Sequence, residues 1–238
     1  MRPVERGPKP IDPKTDAEKV FSAYQHARRD LIQRLGQYCS YCETRLNASL
    51  AVEHVRPKKP VPALALEWDN FLLECTNCNS TKGDKNVVLT DYYWPDRHNT
   101  FIPFVYSEDG KVEIASGLGS SERSKAQAMA NLVGLQKYPN DSTASDRRWS
   151  NRKEIYQKAL RAHKNLIKAS TFGPTNRKLF LELLITLATS SGFFSVWFSV
   201  FEDQEDVLEE LLAAFPGTHL ASFDEHNNFS PLKRTTEM

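Results

Sequence analysis

The sequence predicts an α+β protein, with a small β-and-helix unit leading into a mainly helical region. Three observations predict it. All four cysteines fall into two Cys-x-x-Cys pairs, Cys39/Cys42 and Cys75/Cys78. Residues 101–115 read as two short strands around Glu108-Asp109-Gly110, because Asp-Gly favours a tight hairpin turn. From about Glu122 onward, apolar residues recur at helical spacing.

The elements follow in order. Residues 1–14 are rich in proline and charge and read as extended. Thr15-Asp16-Ala17-Glu18 has the form of a capping box, in which Thr15 bonds forward and Glu18 bonds back. Val20, Phe21, Tyr24, Ala27, Leu31, Ile32 and Leu35 follow at helical spacing, so a helix is expected over 16–35, with Gly36 as its stop. Gly117, Gly119 and their serine neighbours form a linker. Helices are expected over 149–169 and near 177–190 and 203–215. These elements divide the chain into residues 1–115, a first domain with an N-terminal helix, and residues 116–238, a helical domain for substrate or partner binding.

With 238 residues, 40% hydrophobic and 26% charged, the chain has the composition of an ordinary globular protein. Residues 179–201 are apolar and long enough to span a bilayer, but they contain Glu182 and several hydroxyl residues. They are expected to form buried core, so no membrane association is expected. The polar N-terminus does not read as a signal peptide, and a cytoplasmic location is expected.

A net charge of +1 conceals an asymmetry. Residues 121–178 hold 13 Lys/Arg against 4 Asp/Glu, and residues 179–238 hold 2 against 10. Two surfaces for two partners would produce this, as would solvated helix faces. On the first reading, Arg148, Arg152, Lys153 and Arg161 meet phosphate. The aromatic run 193–201 and the acids from Glu202 to Glu210 then meet a protein, unless the aromatics fill the domain's own core.

A Cys-x-x-Cys turn aims two sulfurs at one centre, and two such turns complete a tetrahedral thiolate site. Zinc on Cys39, Cys42, Cys75 and Cys78 is therefore expected. Nothing marks an oxidising compartment, which leaves disulfides the weaker reading, and a redox Cys-x-x-Cys accounts for only one pair. The 32 residues between the pairs form a loop that the metal closes.

Inside that loop stand Val52-Glu53-His54-Val55-Arg56-Pro57-Lys58 and Trp68-Asp69-Asn70-Phe71-Leu72-Leu73. The second run leads into Cys75-Thr76-Asn77-Cys78-Asn79-Ser80-Thr81-Lys82. Over residues 38–85 this resembles the cysteine-bearing branch of the HNH (ββα-metal) nucleases. The resemblance implies a hairpin and helix on a structural zinc, cleaving phosphodiesters with the help of Mg2+ or another divalent cation. It implies His54 as general base, since histidine takes a proton near neutrality. Glu53 and Asn79 would bind the catalytic cation, a hard ion that takes oxygen ligands. Asn70 would brace the loop that orients His54. Arg56 and Lys82 would contact phosphate. Each has a plainer alternative: a surface Glu-His pair, a helix-capping Asn79, a turn residue at Asn70 and solvated cations. Along a regular strand, Glu53 and His54 point to opposite faces.

Met1-Arg2-Pro3-Val4, Glu53-His54-Val55-Arg56-Pro57-Lys58, Gly192-Phe193-Phe194-Ser195-Val196-Trp197-Phe198 and Phe215-Pro216-Gly217-Thr218 also resemble one group of these nucleases. It is the PtuB-like subunit of Septu-type anti-phage defence, which also accompanies some retrons. That resemblance implies an ATPase partner subunit and a nucleic-acid substrate, DNA more than tRNA or other RNA. Two alternatives stand beside it. A stand-alone restriction-type nuclease would carry a DNA-reading module, and no such series is readable here. A non-catalytic zinc-ribbon binding module would need only the cysteines.

Overall fold

A computed structural model describes residues 1–48, 50–138 and 145–234. Four two-stranded antiparallel pairs and seven α-helices occur among the described residues, which bears out the α+β class. The chain opens with β1 (Ile11–Asp12) and β2 (Ala17–Glu18). The helix expected over 16–35 is therefore shorter. The amides of Thr15 and Asp16 both bond to the Asp12 carbonyl, and Asp16 takes a left-handed φ of 53°. That turn consumes the groups the capping box needed, and a 3-10 turn at Tyr24–Ala27 leads into α1 (Arg28–Leu35). Gly36 stops α1 as expected.

The central unit is β3 (Ala51–His54), β4 (Phe71–Glu74) and α2 (Thr76–Lys82). β3 and β4 pair in regular register, Glu53 opposite Leu72 and His54 opposite Phe71. Phe71, Leu72 and Leu73 are completely buried, and since neighbours along a strand point to opposite sides, both faces of β4 are covered. β5 (Phe104–Tyr106) and β6 (Val112–Ile114) form the hairpin expected at Asp-Gly.

The helices are α3 (Ser120–Val133), α4 (Arg148–Ser170), α5 (Pro174–Ser191), α6 (Phe194–Val200) and α7 (Glu205–Ala214). α4 buries Ile155, Ala159, Ala162 and Leu166, a stripe spaced by three and four residues. It ends before Gly173-Pro174, and Pro174 starts α5, where a missing N–H costs nothing. A last pair, β7 (Phe223–Asp224) with β8 (Ser230–Pro231), closes the described chain.

Residues 179–201 answer the core expectation only in part. Phe193, Phe194, Trp197, Phe198 and Phe201 are buried, with Phe198 packed on Phe101 at 5.2 Å and Phe223 at 4.8 Å. These aromatics fill the chain's own core, each contributing about 2–3 kcal/mol by burial, and are not a docking surface. Along α5, in contrast, only Leu184 and Ala188 are buried. No helix among the described residues is long and apolar enough to cross a membrane.

One hydrophobic core runs through both halves of the chain. Val4 bridges Thr218, and Thr44 bridges Gly192. Gly192 adopts φ +75°, and a Cβ there would stand 2.7 Å from the Glu43 carbonyl, so only glycine lets the α5–α6 corner reach the first cysteine turn.

Candidate active site

The two cysteine turns meet. Cys39 Sγ lies 3.6 Å from Cys78 Sγ, Cys42 Sγ lies 3.6 Å from Cys75 Sγ, and all four sulfurs lie within 4.8 Å of one another. A tetrahedron of thiolates about 2.3 Å from an ion has edges near 3.8 Å, whereas a disulfide needs about 2.05 Å. The cluster therefore has the dimensions of a metal site, and its cysteines are free of disulfides. Burial pushes the Cys39 and Cys78 thiols up, while hydrogen bonds from Cys39, Cys75 and Cys78 hold Cys42 down. A divalent ion would relieve this conflict by taking four deprotonated sulfurs. Cys75 also caps α2 by accepting from the Cys78 amide.

Three buried side chains that sequence reasoning misjudged or missed lie around this cluster. Arg148 was expected to meet phosphate. Instead its guanidinium is buried, donating to Cys78 Sγ at 3.1 Å and to the carbonyls of Val133 and Gly134. Arg152 is also buried, donating to the carbonyls of Gly110 and Leu135. Glu43, just after the first pair, was missed altogether. It accepts from the Arg2 amide, the Ser195 amide and the Ser195 hydroxyl. Its signal was present in the soft motifs at both ends of the chain, which converge on this one carboxylate.

His54 ends β3. Its Nε2 lies 3.0 Å from the Ala65 carbonyl. A carbonyl only accepts, so Nε2 carries the proton and Nδ1 keeps its lone pair. Burial lowers the His54 pKa, the Ala65 bond raises it, and the first effect prevails. The ring packs edge-on against Tyr24 at 4.8 Å and Phe71 at 5.3 Å. The Lys58 ammonium sits over the Tyr24 ring, 4.2 Å from its centroid. Sequence reasoning gave neither Tyr24 nor Lys58 a part.

Asn70 is buried, and its side chain makes three hydrogen bonds. Oδ1 accepts from the Arg56 amide at 2.8 Å, while Nδ2 donates to the Arg56 carbonyl at 2.9 Å and the Leu64 carbonyl at 3.1 Å. These bonds cinch residues 56–70 into a loop that holds Ala65 against His54. Arg56 itself is half-buried at the rim.

Glu53 faces the other side of β3. Lys82 Nζ lies 2.6 Å from its Oε1, and the Tyr41 hydroxyl donates to the same oxygen at 3.2 Å. Lys82 was expected at phosphate, but it is buried and also donates to the His54 carbonyl at 2.8 Å. It ties α2 to both Glu53 and the His54 backbone. Asn79 is exposed on α2, three residues before Lys82 and therefore on the same face. It sits inside the helix, which removes the capping alternative.

Beside Glu53 lies a second carboxyl that sequence reasoning passed over. Glu74 is fully buried with both oxygens unpartnered, and burial together with Glu53 pushes its pKa up to about 11. With its pKa so raised, Glu74 is held protonated and neutral, and the Lys82 ammonium balances the Glu53 carboxylate alone. A cation at Glu53 would compete with Lys82 for that carboxylate.

Residues 39–85 match the family model described as HNH endonuclease. The segment carrying the thiolates, His54, Asn70 and Asn79 is therefore an HNH nuclease domain. Septu protein PtuB of Bacillus thuringiensis is 39% identical to this chain over 56 residues. The shared stretch spans 22% of this chain and 22% of that relative.

Proposed function

We propose that the chain is a metal-dependent endonuclease hydrolysing phosphodiester bonds of nucleic acid, DNA in preference to RNA, in the cytoplasm. On this reading it is the effector of an anti-phage defence complex, controlled by an ATPase partner subunit. Likeness to the Septu relative over the HNH segment supports the defence role. The observation that carries the nuclease reading is the state of His54, whose Nε2 proton is committed to Ala65. Nδ1 is left to take the proton from an attacking water.

Asn70 acts through the loop it braces, keeping His54 in that tautomer and orientation. Glu53 and Asn79 would hold a hard divalent cation such as Mg2+, which when bound neutralises phosphate and supports the leaving oxygen. Lys82 positions Glu53 and the His54 backbone from behind. Arg56 and Lys58 stand at the rim, where cations orient phosphate. Zinc on Cys39, Cys42, Cys75 and Cys78 would fix the end of β4 and the start of α2. Residues 1–115 carry the cleavage function, and residues 116–238 serve substrate or partner binding.

The test compares cleavage of plasmid and of tRNA, with and without Mg2+, by wild type and His54→Ala. Wild type cuts DNA only with the cation. His54→Ala is slower by about a hundredfold to ten-thousandfold, with fold and zinc content unchanged. A variant within about tenfold of wild type removes His54 from this role.

A further inference from the structure

A groove of about 810 Å3 opens between α7 and residues 220–232. Leu212 and Phe223 are buried at its floor, while Leu220 and Leu232 are 58% and 43% exposed at its mouth. Four carboxylates join them. Glu205 and Glu209 stand one turn apart on α7, and Asp224 and Glu225 line the opposite wall. No Lys or Arg lines the groove.

The chain's own cations set these acids apart from their neighbours. Arg177 pairs with Asp206 on the next face of α7, and Lys233, just beyond Leu232, pairs with Glu122. Glu205, Glu209 and Asp224 have no such partner among the described residues, and Glu225 has only His226, 3.6 Å away. Local roles account for part of the pattern. Glu205 sits in the first turn of α7, where the helix dipole favours acids, and Asp224 accepts from the His226 amide. Neither role covers the leucines or neutralises the two walls.

Charge selects the occupant. Nucleic acid and anionic lipid carry the wrong sign. A second copy, docked groove to groove on a two-fold axis, would set carboxylates against carboxylates. A divalent cation needs oxygens gathered about one point, and among the described residues only the four cysteines gather three or more ligand atoms that closely. Acids spread along two walls above an apolar floor fit a segment with Lys or Arg on its flanks and apolar side chains beneath. Seating it removes the leucines from water and lowers the dielectric around the flanking ion pairs.

We infer that this groove docks a basic, apolar-anchored segment of a partner protein. The inference rests on the proposed control by a partner subunit, and supplies the surface and the chemistry of that contact.

Fluorescence anisotropy on the full chain tests it. The probe is a labelled peptide of about 15 residues, with leucines at helical spacing and arginines between them. Saturation at one peptide per chain is expected below about 100 µM, with binding severalfold weaker at about 0.3 M salt than at about 0.05 M. Leu220→Asn with Leu232→Asn, or glutamines for the peptide's leucines, weakens binding at least about tenfold. Glu209→Lys with Asp224→Lys does the same, while Glu154→Lys with Glu182→Lys, an equal charge change elsewhere, stays within about twofold of wild type. The Glu209→Lys, Asp224→Lys chain is expected to bind a peptide with glutamates for arginines, which separates lost docking from lost folding. Equal losses in the two charge variants, undiminished binding of the glutamine peptide, or no such rescue overturns the inference. So does a wild type that leaves the arginine peptide free and instead dimerises or binds phosphatidylserine vesicles. Plasmid cleavage by the same variants is expected at the wild-type level. A chain that binds the peptide but cuts nothing fails the nuclease reading alone, and one that cuts but ignores the peptide fails this inference alone.

Discussion

His54 shows how one hydrogen bond fixes a chemical role. Its pKa is held below the ordinary 6.5 by burial, and the base form is the unprotonated one. Activity is thus present above the lowered pKa and is lost as pH falls through it. The acid limb of log kcat/KM against pH is expected below 6.5, and a limb above that value would assign the base elsewhere. Asn70→Ala frees the loop that holds Ala65, so kcat should fall about ten- to a hundredfold while KM changes little. Equal loss in substrate affinity would instead make Asn70 a binding residue. These two side chains stood out in the sequence because their motif gives both type and spacing. Glu74 and Lys82 were not legible in the same way. A carboxyl at the end of one strand and an ammonium at the end of the next helix read as surface, and only the packing of α2 on the hairpin brings Lys82 to Glu53.

At the scale of elements, the helical half was easy to read, because α4 and α7 carry apolar residues at regular spacing without breakers. The first helix was not, because a local Asp12 turn captured the amides of its presumed first turn. Arg148 was misjudged for a related reason: charge counts treat every arginine as solvated, while α4 aims this one at Cys78. Cys75→Ser should release the zinc and unfold the hairpin–helix unit, seen as lost zinc by metal analysis and a lost melting transition. Arg148→Met removes the donor to Cys78 and the ion-pair partner of Asp146. A loss of about 3 kcal/mol is expected by urea denaturation, with faster zinc transfer to a chelator. If both stay at wild-type values, the guanidinium contributes nothing to the thiolate cluster.

On the scale of the whole molecule, the basic region of residues 147–168 is divided. Arg148 and Arg152 lie inside, while Arg147, Lys153, Arg161 and Lys164 remain exposed. Charge reversal at Lys153, Arg161 and Lys164 should weaken DNA binding and reduce the salt slope by about one for each phosphate no longer neutralised. An unchanged slope would leave that face to solvent or to a protein. The fold class was legible from element types alone, but the joining of the two halves was not. It depends on Glu43, whose partners Arg2 and Ser195 lie 41 and 152 residues away. A ribosome delivers such a chain from one end. Until residue 195 has emerged, Glu43 has no hydroxyl or helix amide to accept, and the first cysteine turn lacks the corner that Gly192 seats against it. The cutting segment is thus synthesised long before it is finished. A nascent chain stalled near residue 120 should remain protease-sensitive around Cys39, whereas one extended past α6 should resist. On the proposed function, cleavage by such a chain would wait until α6 has been made.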